Sequence, residues 1–200
     1  MVGGSQTREE WLVKAELAEV IVFDLDGTLV DSDYANFLSY KDAVMHVLSK
    51  HIELDFAQGI RITREVLKEL IPTITDKQLE DIVSHKERIY HKFLSETKVN
   101  AQLIEIVARS QGKEVVLATN SRKFRAELLL KHHGIIEKFS RKIYKDAEDQ
   151  RDKYVKLMAE IPKEKMQILV FENDGNAIES AIDCGIEINQ IIDVCRIENE

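Results

Sequence analysis

The sequence predicts an α/β fold: a three-layer, Rossmann-like parallel sheet flanked by helices and interrupted by a long α-helical insertion. Three observations predict it. Short apolar runs at Val20 to Phe23, Val115 to Ala118 and Ile168 to Phe171 each pass straight into polar residues, the pattern of strands buried on both faces of a parallel sheet. Helical periodicity fills the segments between these runs. Between the first two runs lies a helical stretch of roughly 65 residues, far longer than an ordinary connection between a strand and the next element. The predicted boundaries are 1–17 for an N-terminal extension, 18–33 and 100–200 for the α/β core, and 34–99 for the insertion.

Met1 to Gln6 is small and polar, and Thr7 to Leu17 reads as a short helix. Thr7 and Glu10 stand at capping-box spacing, with Trp11, Leu12 and Ala15 on one side. After the first strand, Tyr34, Phe37, Leu38, Lys41, Val44, Met45 and Leu48 fall at helical spacing. Gln58 to Leu70 predicts a second helix, closed by Ile71-Pro72 because the residue before proline disfavours helix. A third runs from a cap at Asp76 through Leu79, Ile82 and Val83 as far as Leu94. Arg61, Arg64, Lys86 and Arg88 read as a solvated basic face of this insertion. His46, His51, His85 and His91 show no metal-ligand spacing.

The chain returns to the core through a helix, Asn100 to Ser110, stopped near Gly112. A strand, Glu114 to Ala118, then ends at Thr119-Asn120-Ser121, and a helix follows from Arg122 to His133. Phe139 to Tyr144 reads as an edge strand and Lys153 to Glu160 as a helix. Gln167 to Phe171 is the third buried strand. Ile186 to Val194 can form a last one before the polar tail.

Composition bounds the function. The chain has 200 residues, 44% of them hydrophobic and 32% charged, enough for one domain with a good core and a modest insertion. A net charge of -8 argues against a nucleic-acid binder. No apolar run approaches a membrane span, so neither nucleic acid nor membrane is an expected partner. Cys184 and Cys195 lack metal-ligand spacing and suggest reduced thiols. Arg8, Glu9 and Glu10 stand where a signal peptide would need an apolar stretch, so a cytoplasmic monomer or homodimer is expected.

The candidate chemistry lies at strand ends, where ligands bind in open α/β sheets. The first strand delivers Asp24 and Asp26 into the loop Asp24-Leu25-Asp26-Gly27-Thr28. Phe23 to Asp31 resembles the first motif of the haloacid dehalogenase-like hydrolases, Asp-x-Asp-Gly-Thr followed by Leu or Val, in the phosphoglycolate phosphatase and phosphoglucomutase-like branch. The resemblance implies a Mg²⁺-dependent phosphatase for a small phosphorylated metabolite, with the insertion as a helical cap. Asp24 would attack phosphorus and form an aspartyl-phosphate. Asp26 would protonate the leaving oxygen and later deprotonate water.

The chemistry calls for these residue types. A carboxylate nucleophile divides one difficult transfer into two easier ones. Its charge repels a phosphate, so Mg²⁺ must bridge and neutralise the two. A second carboxyl, partly desolvated, can stay protonated long enough to act as an acid. Gly27 lets the backbone turn beneath the phosphate, and Thr28 can hydrogen-bond the acid.

The second strand ending in Thr119-Asn120 resembles the family's second motif. There Thr119 would give a hydroxyl to the phosphate and Asn120 would help to cradle it. The third motif supplies a lysine. The usual Lys-Pro-x-Pro-Asp is absent, so Lys153 at its helix start is preferred over Lys145, with Arg151 third. Phe171-Glu172-Asn173-Asp174 resembles the fourth motif, with asparagine where an aspartate usually binds metal. The resemblance thus implies metal ligands among Asp24, Asp26, Glu172 and Asn173, with Asp174 an alternative source of charge. Three rivals stand beside this reading: a dehalogenase, against which Asp26 argues, a phosphomutase, and a catalytically weakened member acting as a binding or regulatory module.

Overall fold

The computed structural model describes residues 7–50, 52, 54–56, 61–161 and 167–196. Met1 to Gln6, His51, Gln58 to Ile60 and Ile197 to Glu200 lie outside the described residues. In chain order the helices and strands are α1 (Arg8–Leu17), β1 (Val20–Phe23), β2 (Val30–Asp31), α2 (Asp33–Leu48), α3 (Arg64–Leu70) and α4 (Asp76–Ile89). They continue with β3 (Lys98–Val99), α5 (Ala101–Arg109), β4 (Glu114–Arg122), α6 (Lys123–His132), β5 (Arg141–Lys145), α7 (Lys153–Glu160), β6 (Ile168–Glu172), α8 (Gly175–Asp183) and β7 (Ile191–Asp193).

The chain divides into two compact units, one formed by Met1–Val30 with Val99–Glu200 and the other by Asp31–Lys98. The first is built on a parallel five-stranded sheet in the order β5-β4-β1-β6-β7. The central strand, Val20-Ile21-Val22-Phe23, is buried along its whole length, as a strand covered on both faces must be. Val20, Val22, Val116, Ala118 and Val170 form one face of the core with Tyr154 and Leu157 of α7 and Ala177 and Ala181 of α8. Alternation sends Phe23 and Phe171 to the other face. There their rings stack at 4.9 Å, and Trp11 of α1 meets Phe171 edge-on at 5.8 Å. The Thr7–Glu10 capping box starts α1.

The second unit is helical. Phe37, Tyr40 and Val44 of α2 close on Leu67 of α3 and on Leu79, Ile82 and Val83 of α4. The connecting strands β2 and β3 pair with each other as a separate two-stranded sheet.

Several expected boundaries move. Among the described residues the second helix of the insertion starts only at Arg64, because Thr63 is extended and caps it. The third is capped by Thr75, with Asp76 its first residue, and stops at Ile89, where a 3-10 segment carries the chain to Glu96. The second core strand runs on through Thr119-Asn120-Ser121 to Arg122. The last strand shortens to three residues behind a 3-10 turn. Lys86 is not solvated. It is buried, with its ammonium 4.7 Å from the Tyr40 ring and 5.7 Å from the Tyr90 ring, a placement that cation–π attraction favours. Among the described residues no helix is long and apolar enough to cross a membrane.

Candidate active site

The sheet register brings the strand ends together. Phe23 pairs with Leu117 on one side and Phe171 on the other, and the amide of Asp24 donates to the Phe171 carbonyl at 3.0 Å. Asp24 and Glu172 therefore leave the carboxyl ends of β1 and β6 side by side. Both are buried, Asp24 at 5% exposure and Glu172 at 0%.

Between them stands Lys153, the first residue of α7, itself 3% exposed. Its Nζ lies 2.6 Å from Asp24 Oδ1 and 2.6 Å from Glu172 Oε2. Burial works against the Lys153 ammonium, but Asp24 and Glu172 outweigh it and hold the amine above the usual lysine range. Burial pushes the Asp24 carboxyl up to about 7, the Lys153 charge opposes this, and the charges of Glu172 and Asp26 add to it. Once Asp24 is ionised, above about pH 7, two carboxylates and one ammonium leave this buried cluster a single negative charge in excess.

Glu172 is fully engaged. Its Oε2 also accepts from Tyr154 Oη at 2.7 Å, and its Oε1 accepts from the amides of Asn173 and Asp174 at 2.9 and 3.1 Å. Burial, and then the neighbouring Glu172 charge, keep the Tyr154 phenol protonated far above its ordinary range.

Gly27 has φ +83°, which only glycine adopts readily. A Cβ there would also sit 2.3 Å from Asn173 Nδ2. Asn173 Oδ1 accepts from the Thr28 hydroxyl at 3.0 Å, so Thr28 serves Asn173. The hydroxyl that bonds Asp26 comes from Ser121. Asp26 is further held by Arg125, whose Nη1 and Nη2 reach Oδ1 and Oδ2 at 3.1 and 2.9 Å. Ser121 and Arg125 were not singled out by the sequence. Ser121 lies at the end of β4 and Arg125 in the first turn of α6, four residues on, so no single helical or strand period links them.

The register between β4 and β5 shifts from Ala118↔Ile143 to Arg122↔Lys145, so three residues of β4 oppose one of β5. Such a bulge re-aims side chains. Thr119 and Ser121 are both buried, with Thr119 Oγ1 accepting from the Ser121 amide at 3.0 Å, while Asn120 is exposed. Lys145 is exposed on the edge strand, and Arg151 is exposed and paired to Asp149. Asp174 is exposed and caps α8, accepting from the amides of Asn176 and Ala177.

Among the described residues no group of three or more His, Cys, Asp or Glu is arranged to hold a metal. Magnesium needs no such group, since one or two carboxylates with waters and substrate phosphate complete its octahedron. Asp24 and the Asn173 side-chain carbonyl are hard oxygen donors of the kind it takes. A cavity of about 260 Å³ lies elsewhere, at the amino end of β6, lined by Lys14, Leu17, Ala18, Gln167, Ile168 and Leu169.

A family model described as haloacid dehalogenase-like hydrolase matches residues 18–185. The fold is similar to that of a presumed phosphatase from Clostridium difficile, 22% identical, with 92% of this chain and 87% of that one covered at a TM-score of 0.69. It is also similar to a presumed β-phosphoglucomutase from Thermotoga maritima, 24% identical, with 91% and 88% covered at 0.66. A third likeness is to CbbY from Rhodobacter sphaeroides in complex with phosphate, 17% identical, with 92% and 89% covered at 0.64.

Proposed function

The chain belongs to the haloacid dehalogenase-like hydrolases, and from that premise we propose that it is a phosphatase of small phosphorylated metabolites, working through an aspartyl-phosphate on Asp24. The observation that carries the reading is the Lys153 ammonium, 2.6 Å from Asp24 at the carboxyl end of the central strand. A buried carboxylate with a fixed cation beside it suits attack on a dianion, because the cation also offsets the charge of the incoming phosphate.

In the first step Asp24 Oδ forms a bond to phosphorus while the bond from phosphorus to the leaving oxygen breaks. The proton on Asp26 passes to that oxygen, which departs as an alcohol. In the second step the Asp26 carboxylate takes a proton from water as the water oxygen bonds to phosphorus. The bond from phosphorus to Asp24 breaks, restoring the carboxylate and releasing phosphate. Thr119 supplies a buried hydroxyl beside the phosphate, and Asn120 an amide at its edge. Magnesium, held by Asp24 and the Asn173 carbonyl, would neutralise nucleophile and phosphate together.

One observation favours a second reading, a catalytically weakened member acting as a binding module. Glu172 has both oxygens occupied, and its neighbour Asn173 is neutral. Release of phosphate from para-nitrophenyl phosphate, with Mg²⁺ and with a chelator, separates the two. The phosphatase reading expects metal-dependent turnover that Asp24→Asn abolishes. Turnover near wild type in that variant overturns it.

A further inference from the structure

We infer that Arg125 is a positioning residue for Asp26, fixing the carboxyl group that handles the leaving-group proton. The inference rests on the reading of Asp26 as the acid of the phosphatase.

Asp26 lies in the loop beyond β1, where nothing in the strand ladder fixes its side chain. Arg125 reaches it from the first turn of α6, almost a hundred residues away in sequence. The two ends of one guanidinium meet the two oxygens of one carboxylate at 3.1 and 2.9 Å. This paired geometry fixes the plane of the carboxyl group as well as its position. Ser121 completes the clamp. Its hydroxyl donates to Asp26 Oδ2 and accepts from Arg125 Nη2, and its amide donates to Thr119 Oγ1.

A role in stability alone accounts poorly for this arrangement. The Arg125 side chain is 9% exposed and that of Asp26 12%, and a buried ion pair is a weak stabiliser against apolar side chains of the same volume. The neighbouring buried positions of α6 are Ala126, Leu129 and Leu130, so an apolar residue at 125 would continue that face. What the pair adds is orientation. Asp26 must give a proton at one point in space and take one back there, and a displacement of about 1 Å at a reacting group can cost on the order of a hundredfold in rate. The guanidinium also faces the negative charge that develops on Asp26 as its proton leaves.

The test is the dependence of kcat/KM on the leaving group, measured with para-nitrophenyl, chlorophenyl and phenyl phosphates in the full chain with Mg²⁺. Nitrophenolate leaves with little help from an acid, whereas phenolate needs the proton. Arg125→Ala should lose at least ~10-fold more on phenyl than on nitrophenyl phosphate, a fraction of the ~10²–10⁴ that a general acid supplies. Asp26→Asn should steepen the series further. Arg125→Lys should recover part of the loss, since it keeps the charge but not the fork. If Arg125→Ala does not fold by circular dichroism, Ser121→Ala removes one arm of the clamp and should steepen the series less. An equal loss on all three substrates, or a flatter series, overturns the inference while leaving the phosphatase reading intact. No turnover by the wild type on any of the three overturns that reading, and this inference with it.

Discussion

Asp24, Glu172 and Lys153 form a buried cluster that carries one uncompensated negative charge once Asp24 is ionised, and single substitutions expose the imbalance. With magnesium chelated, the unfolded Asp24 carboxyl titrates near 3.8 and the folded one near 7. Over that interval the folded chain keeps a proton that the unfolded chain has released. The stability this gives is fully present below about pH 4 and is lost as the pH rises toward 7. Asp24→Asn cannot titrate, and its amide oxygen can still accept from Lys153. We predict that the variant is inactive and melts several degrees above wild type at pH 8, at about 2–4 °C per kcal/mol for a chain of this size. The difference should vanish near pH 4. A melting temperature equal to or below wild type at pH 8 contradicts this account. Lys153→Ala moves the other way, leaving two buried carboxylates without their cation. Breaking such a pair costs about 3–5 kcal/mol, so the variant should melt on the order of 10 °C lower. Its turnover should fall by a factor on the order of a hundred or more. Asp24 and Lys153 were legible because each stands at the edge of a recognisable element. Ser121 and Arg125 were not, because what pairs them with Asp26 is tertiary distance, and neither residue looks unusual beside its sequence neighbours.

At the scale of elements, β6 and the start of α8 decide how the site treats a cation. The sequence left three residues open as ligands, Glu172, Asn173 and Asp174, and local structure separates them. Glu172 is spent on Lys153, Tyr154 and two amides, and Asp174 caps α8. Asn173 alone packs against the β1 loop, at Gly27 and Thr28. Asn173→Asp keeps an acceptor for Thr28 and adds a carboxylate beside two others. We predict a lower melting temperature in chelator, a larger rise on adding Mg²⁺, and half-maximal activity at a lower metal concentration, since anionic oxygen binds a hard cation more tightly. If melting and metal dependence both match wild type, this loop does not hold the metal. Boundaries were harder to read than identities. The bulge at Thr119 to Ser121 arises from pairing with β5, and no residue within β4 announces it. The late start of α3 reflects an extended Thr63, which caps the helix in place of the residues before it.

For the whole molecule, the parallel sheet and the long insertion were legible because strand periodicity and connection length are properties of the chain itself. The lining of the helical unit was less so. Tyr34 and Met45, placed at helical spacing with Phe37 and Val44, are exposed, whereas Tyr40 and Lys86 are buried. Spacing gives the helix, but its neighbours choose which stripe is covered. The insertion also leaves the core nearly continuous where it enters and exits. The Asn100 amide donates to the Leu29 carbonyl at 2.9 Å, and β2 pairs with β3. Neighbouring strands are about 5 Å apart, a gap that a turn of two or three residues spans. We predict that replacing Asp31 to Lys98 with a short Gly-Ser turn, joining Val30 to Val99, leaves the five-stranded unit folded, with a cooperative melt and a strand-and-helix circular dichroism spectrum. The buried cluster is built wholly from β1, β6 and α7, so the excised core should keep the same signature of Asp24→Asn stabilisation at pH 8. A core that aggregates, or that melts without cooperativity, would mean that the helical unit is part of what folds the sheet.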